Sequence, residues 1–229
     1  MAPSKKAQPQ QARPAWYVAW TAFGILAAAS ALVAWRTEGT LLRWIVRDLA
    51  LLGYVAIFAA IVSSHYKREV SKVFGRSFVN AHHILSVTGA VLLTLHPIGV
   101  AWDELNAAVL IPVFYPISDM LRYGGRIAWY ILAVGALAAV WRKKIGRRWR
   151  TIHDFNYLAF VFGTVHANLL GANFADWPVR VVSMSMLLVV AVLFVRQRIE
   201  ARKKQAEIQA KIAAAKRIQK EKPAQQEEV

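Results

Sequence analysis

Apolar residues in this chain gather into long blocks, and polar residues cluster between the blocks. Six blocks are candidates for spanning helices: about Ala15–Trp35, Leu49–Ser64, Val79–Trp102, Ile127–Trp141, Ile152–Gly171 and Val179–Val195. A helix that crosses a bilayer needs roughly 20 mostly apolar residues. The second, fourth and sixth blocks are short by that measure, so their ends are set only to within several residues. The first block carries Trp16, Tyr17 and Trp20 at one end and Trp35 at the other, as aromatic belts at both membrane surfaces require. It is too long for a signal peptide and lacks a small-residue cleavage pattern. The pattern predicts an all-α polytopic membrane protein: residues 1–14 cytoplasmic, a six-helix bundle over 15–197, and a helical tail over 198–229.

Charge sets the orientation. The chain has 29 Lys+Arg against 13 Asp+Glu. Of the basic residues, 23 fall before the first block, between the second and third, between the fourth and fifth, or after the sixth. By the positive-inside rule, both termini are cytoplasmic. A nucleic-acid-binding protein would share the basic balance but not the apolar blocks. The outer side then holds a short loop around Arg36–Asp48 and a longer one around Asp103–Arg126. Pro112 and Pro116 prevent the longer loop from forming one straight helix, so it lies at the outer interface or caps the bundle. In the tail, Ile199, Ile208, Ile212 and Ile218 form only a thin apolar stripe. That suits a solvated or membrane-surface helix, with partner docking as the alternative. The chain has no cysteine, which excludes disulfides, Cys-ligated clusters and covalent heme through C-x-x-C-H.

The candidate chemistry lies in the histidines. His82 and His96 are 14 residues apart in the third block, and His153 and His166 are 13 apart in the fifth. At 1.5 Å per residue each pair spans about 20 Å. Both blocks run from inside to outside, so His82 can face His153 near the inner surface, and His96 can face His166 nearer the outer one. Heme iron takes one axial imidazole from each side, and bundle cores hold such cofactors. Two non-covalent b hemes would make an electron path across the membrane. Fourteen residues return within about 40° of the starting face, but thirteen land about 140° away. Either the fifth block is distorted, with Gly163 the candidate point, or its ligands approach from different sides. His83 is the alternative inner ligand, and His65, beside Lys67 and Arg68, reads as interfacial. Pairs about 20 Å apart cannot supply the three or four converging ligands of a zinc site. Neither H-E-x-x-H nor a nucleotide-binding glycine motif occurs.

Other residues could serve such a site. The carbonyl of Leu93 or Leu92, freed by Pro97, could accept from His96 Nδ1, or Pro97 could simply kink the helix. Gly89 could admit a flat macrocycle or serve helix packing. Phe160 could lie between two hemes or belong to the core. Arg76, Arg147, Arg148 and Arg150 are placed for inner propionates, and Arg122 and Arg126 for outer ones.

At these residues the chain resembles the ferric reductase-like transmembrane domain. That superfamily includes the membrane part of NADPH oxidases, metal reductases and a bacterial heme-binding subunit of periplasmic methionine sulfoxide reductase. The segment AHHILSVTGAVLLTLHP (Ala81–Pro97) is similar to its His–basic–x–Leu start with a second His 14 residues on. The segment KKIGRRWRTIHDFNYLAFVFGTVHA (Lys143–Ala167) is similar to its basic loop, Trp, His, Tyr and second His. The likeness covers roughly Leu49–Val195. It implies that His82, His96, His153 and His166 are bis-imidazole ligands of two b hemes, in the inner membrane of a bacterium. Electrons would pass from a cytoplasmic flavin reductase or quinol, with any FMN, FAD or quinone supplied by or shared with a partner, to a periplasmic redox protein or small acceptor. The oxidase and metal-reductase branches carry a flavin domain after this one. A 30-odd-residue tail in that place suggests the stand-alone branch. The methionine sulfoxide reductase branch usually lacks a histidine where His82 stands, so two hemes are expected here rather than one. A heme-free membrane scaffold and a small transporter with histidine proton relays are the rival classes.

Overall fold

The computed structural model describes residues 38–74 and 77–226, with side chains through residue 214. The first expected span, Ala15–Trp35, and Arg76 lie outside the described residues. Within them every regular element is helical, and there is no strand. In chain order the α-helices are α1 (Leu41–His65), α2 (Lys67–Phe74), α3 (Phe78–Asp103), α4 (Ile117–Arg122), α5 (Gly124–Val140), α6 (Arg142–Ile145), α7 (Trp149–Asp154), α8 (Asn156–Leu170) and α9 (Trp177–Gln226).

Three of these helices are long and apolar enough to cross a membrane: α1, α3, and α9 from Trp177 to Ala214. A further segment passes the same test only as a pair, Gly124–Val140 with Arg142–Leu170, bent by 81°. Its two arms turn back on each other. Gly125 meets His166 and Gly135 meets Asn156, so the contact numbers rise on one helix as they fall on the other. That register makes α5 and α8 an antiparallel hairpin. α1 and α3 form another, with Gly53 against Leu92 and Leu93, Ile57 against Gly89, and Val46 against Gly99. Small residues at such points let helix backbones approach closely. Gly89, open in sequence to either role, therefore serves helix packing, because Ile57 fills the space its side chain would take.

Three departures from the sequence expectation have local causes. The second block begins at Leu41, well before Leu49, because the Thr40 hydroxyl accepts the Arg43 amide and caps the helix start. The charged residues there belong to the helix end: Arg43 Nε lies 2.6 Å from Asp103 Oδ2 at the facing end of α3. Residues 41–48, expected in a loop, are therefore helical. The fifth block is broken, but at Phe155 rather than at Gly163. Phe155 N–H bonds to the Ile152 carbonyl in a tighter turn, separating α7 from α8.

The two hairpins meet through specific contacts. Tyr54 of α1 stacks on Phe160 of α8, with ring centres 4.7 Å apart. Its hydroxyl reaches Thr164 Oγ1 at 2.9 Å, while Thr164 donates its own proton to the Phe160 carbonyl. Asn168 adds bonds to the Thr164 carbonyl and to Ser183 Oγ of α9. Trp129 of α5 donates to Thr94 of α3. This places α3 and α8 across the bundle from each other, each packed mainly on its own hairpin partner.

α3 shows the sidedness a bilayer demands. Ile84, Val87, Val91, Leu95, Ile98 and Trp102 are exposed, at three- and four-residue steps along one face. His82 and His96 lie on the opposite face. The long loop between α3 and α5 contains a short 3₁₀ turn, Ala107–Leu110, and the small helix α4, with no helix crossing Pro112 and Pro116. Arg126 Nη1 donates to the Ala108 and Ile111 carbonyls, and the Tyr130 hydroxyl to that of Leu110, tying the loop over the start of α5. The chain divides after Val190. Through Val190 α9 belongs with the bundle core; from Ala191 onward it is a separate, largely exposed helical unit.

Candidate bis-histidine sites

Each of the four expected ligands is held in the same way, through Nδ1 on a backbone carbonyl of another helix. His82 Nδ1 lies 3.0 Å from the Ala60 carbonyl, and His96 Nδ1 3.0 Å from that of Val46, both on α1. His153 Nδ1 lies 3.1 Å from the Gly135 carbonyl of α5, and His166 Nδ1 2.8 Å from that of Arg122 at the end of α4. A carbonyl oxygen only accepts, so each Nδ1 carries the proton and donates it. Each Nε2 is then the unprotonated nitrogen, able to accept a bond; that of His82 lies 3.4 Å from Ser86 Oγ. A carbonyl on the other ring nitrogen is a common way of orienting a metal-ligating histidine.

The His96 bond differs from the sequence expectation. Its Nδ1 goes to Val46, not to Leu93 or Leu92 above Pro97. The helix runs on through Pro97 to Asp103, and the neighbouring Gly99, seated against Val46, lets α1 come close enough to accept.

The structure brings one expected pair, His82 and His153, into ring contact. The rings of His82 and His153 are 6.3 Å apart, centre to centre, with planes at 70°. A metal between two imidazoles needs two bonds of about 2.0–2.1 Å plus about 1 Å from each nitrogen to its ring centre, or about 6 Å in all. The pair has that spacing, and rotation about a metal–nitrogen bond permits the twist. His96 is seated on α1 at Val46, and His166 on the α4–α5 segment at Arg122 and Gly125. The break at Phe155 also removes the angular difficulty of the 13-residue spacing. His153 and His166 sit on separate helices, α7 and α8, and both turn toward the α4–α5 segment.

His83, the alternative inner ligand, is exposed, its ring 6.3 Å from that of His82. His65 has both nitrogens near partners: Nδ1 at the Ile61 carbonyl of its own helix and Ser64, Nε2 at the Tyr157 hydroxyl. Among the described residues no three or more His, Cys, Asp or Glu converge, whereas heme asks the protein for only two axial ligands.

The basic candidates are less uniform. Arg126 is partly occupied by the outer loop and lies over the Tyr123 ring at 4.8 Å. Arg122 is exposed, although its carbonyl holds His166. Arg147 and Arg148 are exposed. Arg150 lies over Trp149, whose ring is 5.9 Å from that of His153. Phe160 is buried against Tyr54 and Phe58.

Sequence reasoning missed the supports of these histidines. A Cβ on Gly125 would lie 2.7 Å from His166 Nε2, so only glycine leaves that ring its place. Asn156, one turn after His153, puts its amide 3.3 Å from His153 Nδ1. The glycines of the YGGRIAWYILAVG run and the i, i+3 spacing of His153 and Asn156 are the signals that could have pointed to them.

The chain matches no protein-family model, and no curated protein or solved structure is significantly similar to it.

Proposed function

We propose that this chain is a transmembrane diheme cytochrome, with His82 and His153 as axial ligands of an inner b heme and His96 and His166 of an outer one. The observation that carries the reading is the common seating of the four rings. Four histidines at two depths each give Nδ1 to a carbonyl on another helix and keep Nε2 for a metal. A buried histidine kept only for packing has no need to repeat one tautomer four times.

In this reading α5 and the α7–α8 arm are two separate passes. With the first apolar block they bring the total to six, with both termini in the cytoplasm of a bacterium and the bundle in its inner membrane. Bound heme supplies a one-electron couple at each depth. The chain's residues fix the rest. α3 carries His82 and His96, α7 carries His153 and α8 carries His166; the carbonyls lock the rings against rotation, and the apolar core excludes water. The basic stretch Arg142–Arg150 faces the cytoplasm, where it suits an acidic flavoprotein donor or the headgroup zone from which quinol is drawn. Electrons leave on the outer side to a redox protein or small acceptor.

The test uses the purified full-length chain in liposomes that enclose a membrane-impermeant oxidant, with reductant added outside. Transfer that requires the chain and follows its low-spin heme absorbance is the expected result. A folded, colourless chain, or a heme-loaded chain that passes no electrons inward or outward, contradicts the proposal.

A further inference from the structure

The two polar neighbours of His153 make opposite demands. The Gly135 carbonyl, 3.1 Å from Nδ1, can only accept and therefore needs Nδ1 protonated. The Asn156 amide nitrogen, 3.3 Å from the same Nδ1, can only donate and needs it bare. Asn156 Oδ1, meanwhile, is buried without a hydrogen-bond partner among the described residues. A half-turn of the carboxamide exchanges its oxygen and nitrogen, which have nearly the same shape. Oδ1 then accepts from Nδ1–H beside the Gly135 carbonyl, and both neighbours make the same demand on the ring.

From this juxtaposition we infer that Asn156 is a positioning residue for His153, its Oδ1 sharing the Nδ1 proton with the Gly135 carbonyl so that Nε2 stays bare and electron-rich. Gly135 contributes twice. Its carbonyl is the first acceptor, and its missing side chain makes the notch in which the carboxamide sits, since a Cβ there would collide with Asn156. None of the other three histidines has a carboxamide at Nδ1. His82 has Ser63 Oγ at a marginal 3.5 Å, and that hydroxyl already donates to the Ala60 carbonyl.

The inference rests on the diheme reading. A second acceptor on Nδ1–H makes the imidazole a stronger donor to ferric iron, which lowers the reduction potential of the heme it ligates. The test is a redox titration of the full-length chain in detergent, wild type against three variants, with heme content measured on each. Asn156→Asp strengthens the acceptor and is expected to move one of the two midpoints down. Asn156→Leu removes it, Gly135→Ala displaces it, and both are expected to move the same midpoint up. The other midpoint and the content of two hemes should hold. If Asn156→Leu does not fold, Asn156→Asp and Gly135→Ala still give shifts of opposite sign. A heme-loaded wild type whose midpoints ignore these changes, or move in one direction for Asp and Leu alike, overturns the inference alone. A wild type without heme overturns the diheme reading and this inference with it.

Discussion

The His82–His153 and His96–His166 pairs use one device in two settings. At both depths Nδ1 rests on a carbonyl from another helix. The inner pair adds polar side chains: Ser63 and Ser86 beside His82, and Asn156 beside His153. Among the described residues, His96 and His166 have the carbonyls of Val46 and Arg122 at Nδ1 and no polar side chain within hydrogen-bond distance. The carbonyl is a property of the backbone, so it survives most substitutions and fixes the tautomer. The side chains can be changed without moving the helices, so they set differences between one depth and the other.

The sharpest way to break the comparison is to remove a ligand. His166→Ala or His96→Ala is expected to lose the outer heme, and His82→Ala or His153→Ala the inner one. Each would halve the pyridine hemochrome yield per chain, and retention of both hemes in any of the four contradicts the pairing. Next in size is Gly125→Ala, which puts a methyl where the His166 ring lies. It should deplete the outer heme and leave the inner absorbance in place; loss of the inner heme instead would mean that α5 acts on both sites alike.

Thr164→Val tests the join between the hairpins without touching a ring. It removes the shorter of two contacts of the buried Tyr54 hydroxyl and leaves the Ser183 carbonyl at 3.4 Å, at a cost of about 1 kcal/mol for a lost hydrogen bond. Thermal unfolding should register that loss while the heme content of folded protein stays at two. The smallest effect is expected from His83→Ala, because His83 is exposed. Spectra and midpoints should match wild type, and loss of the inner heme would transfer the ligand role from His82.

How much of this was legible in the sequence differs between the two histidine-bearing regions. α3 was read to within a residue at each end, because an unbroken apolar run is a strong signal and 14 residues bring His82 and His96 back to one face. The α7–α8 region was read as one helix. Its break at Phe155 involves neither proline nor glycine, so hydropathy could not see it. The 13-residue spacing did register the distortion, but Gly163, the obvious breaker, lies within α8. The carbonyls of Val46, Ala60, Arg122 and Gly135 left no trace in the sequence, because any residue offers one. What could be read was the glycine that lets such a carbonyl approach, and Gly89, the one singled out, packs on Ile57 instead.

The central claim is that two facing pairs of imidazoles each hold an iron macrocycle. Pyridine hemochrome analysis of the purified full-length chain, normalised to protein by quantitative amino-acid analysis, tests it most directly. The account predicts two b hemes per chain. A well-folded chain carrying none, or one that saturates at a single heme when hemin is supplied in excess, contradicts it.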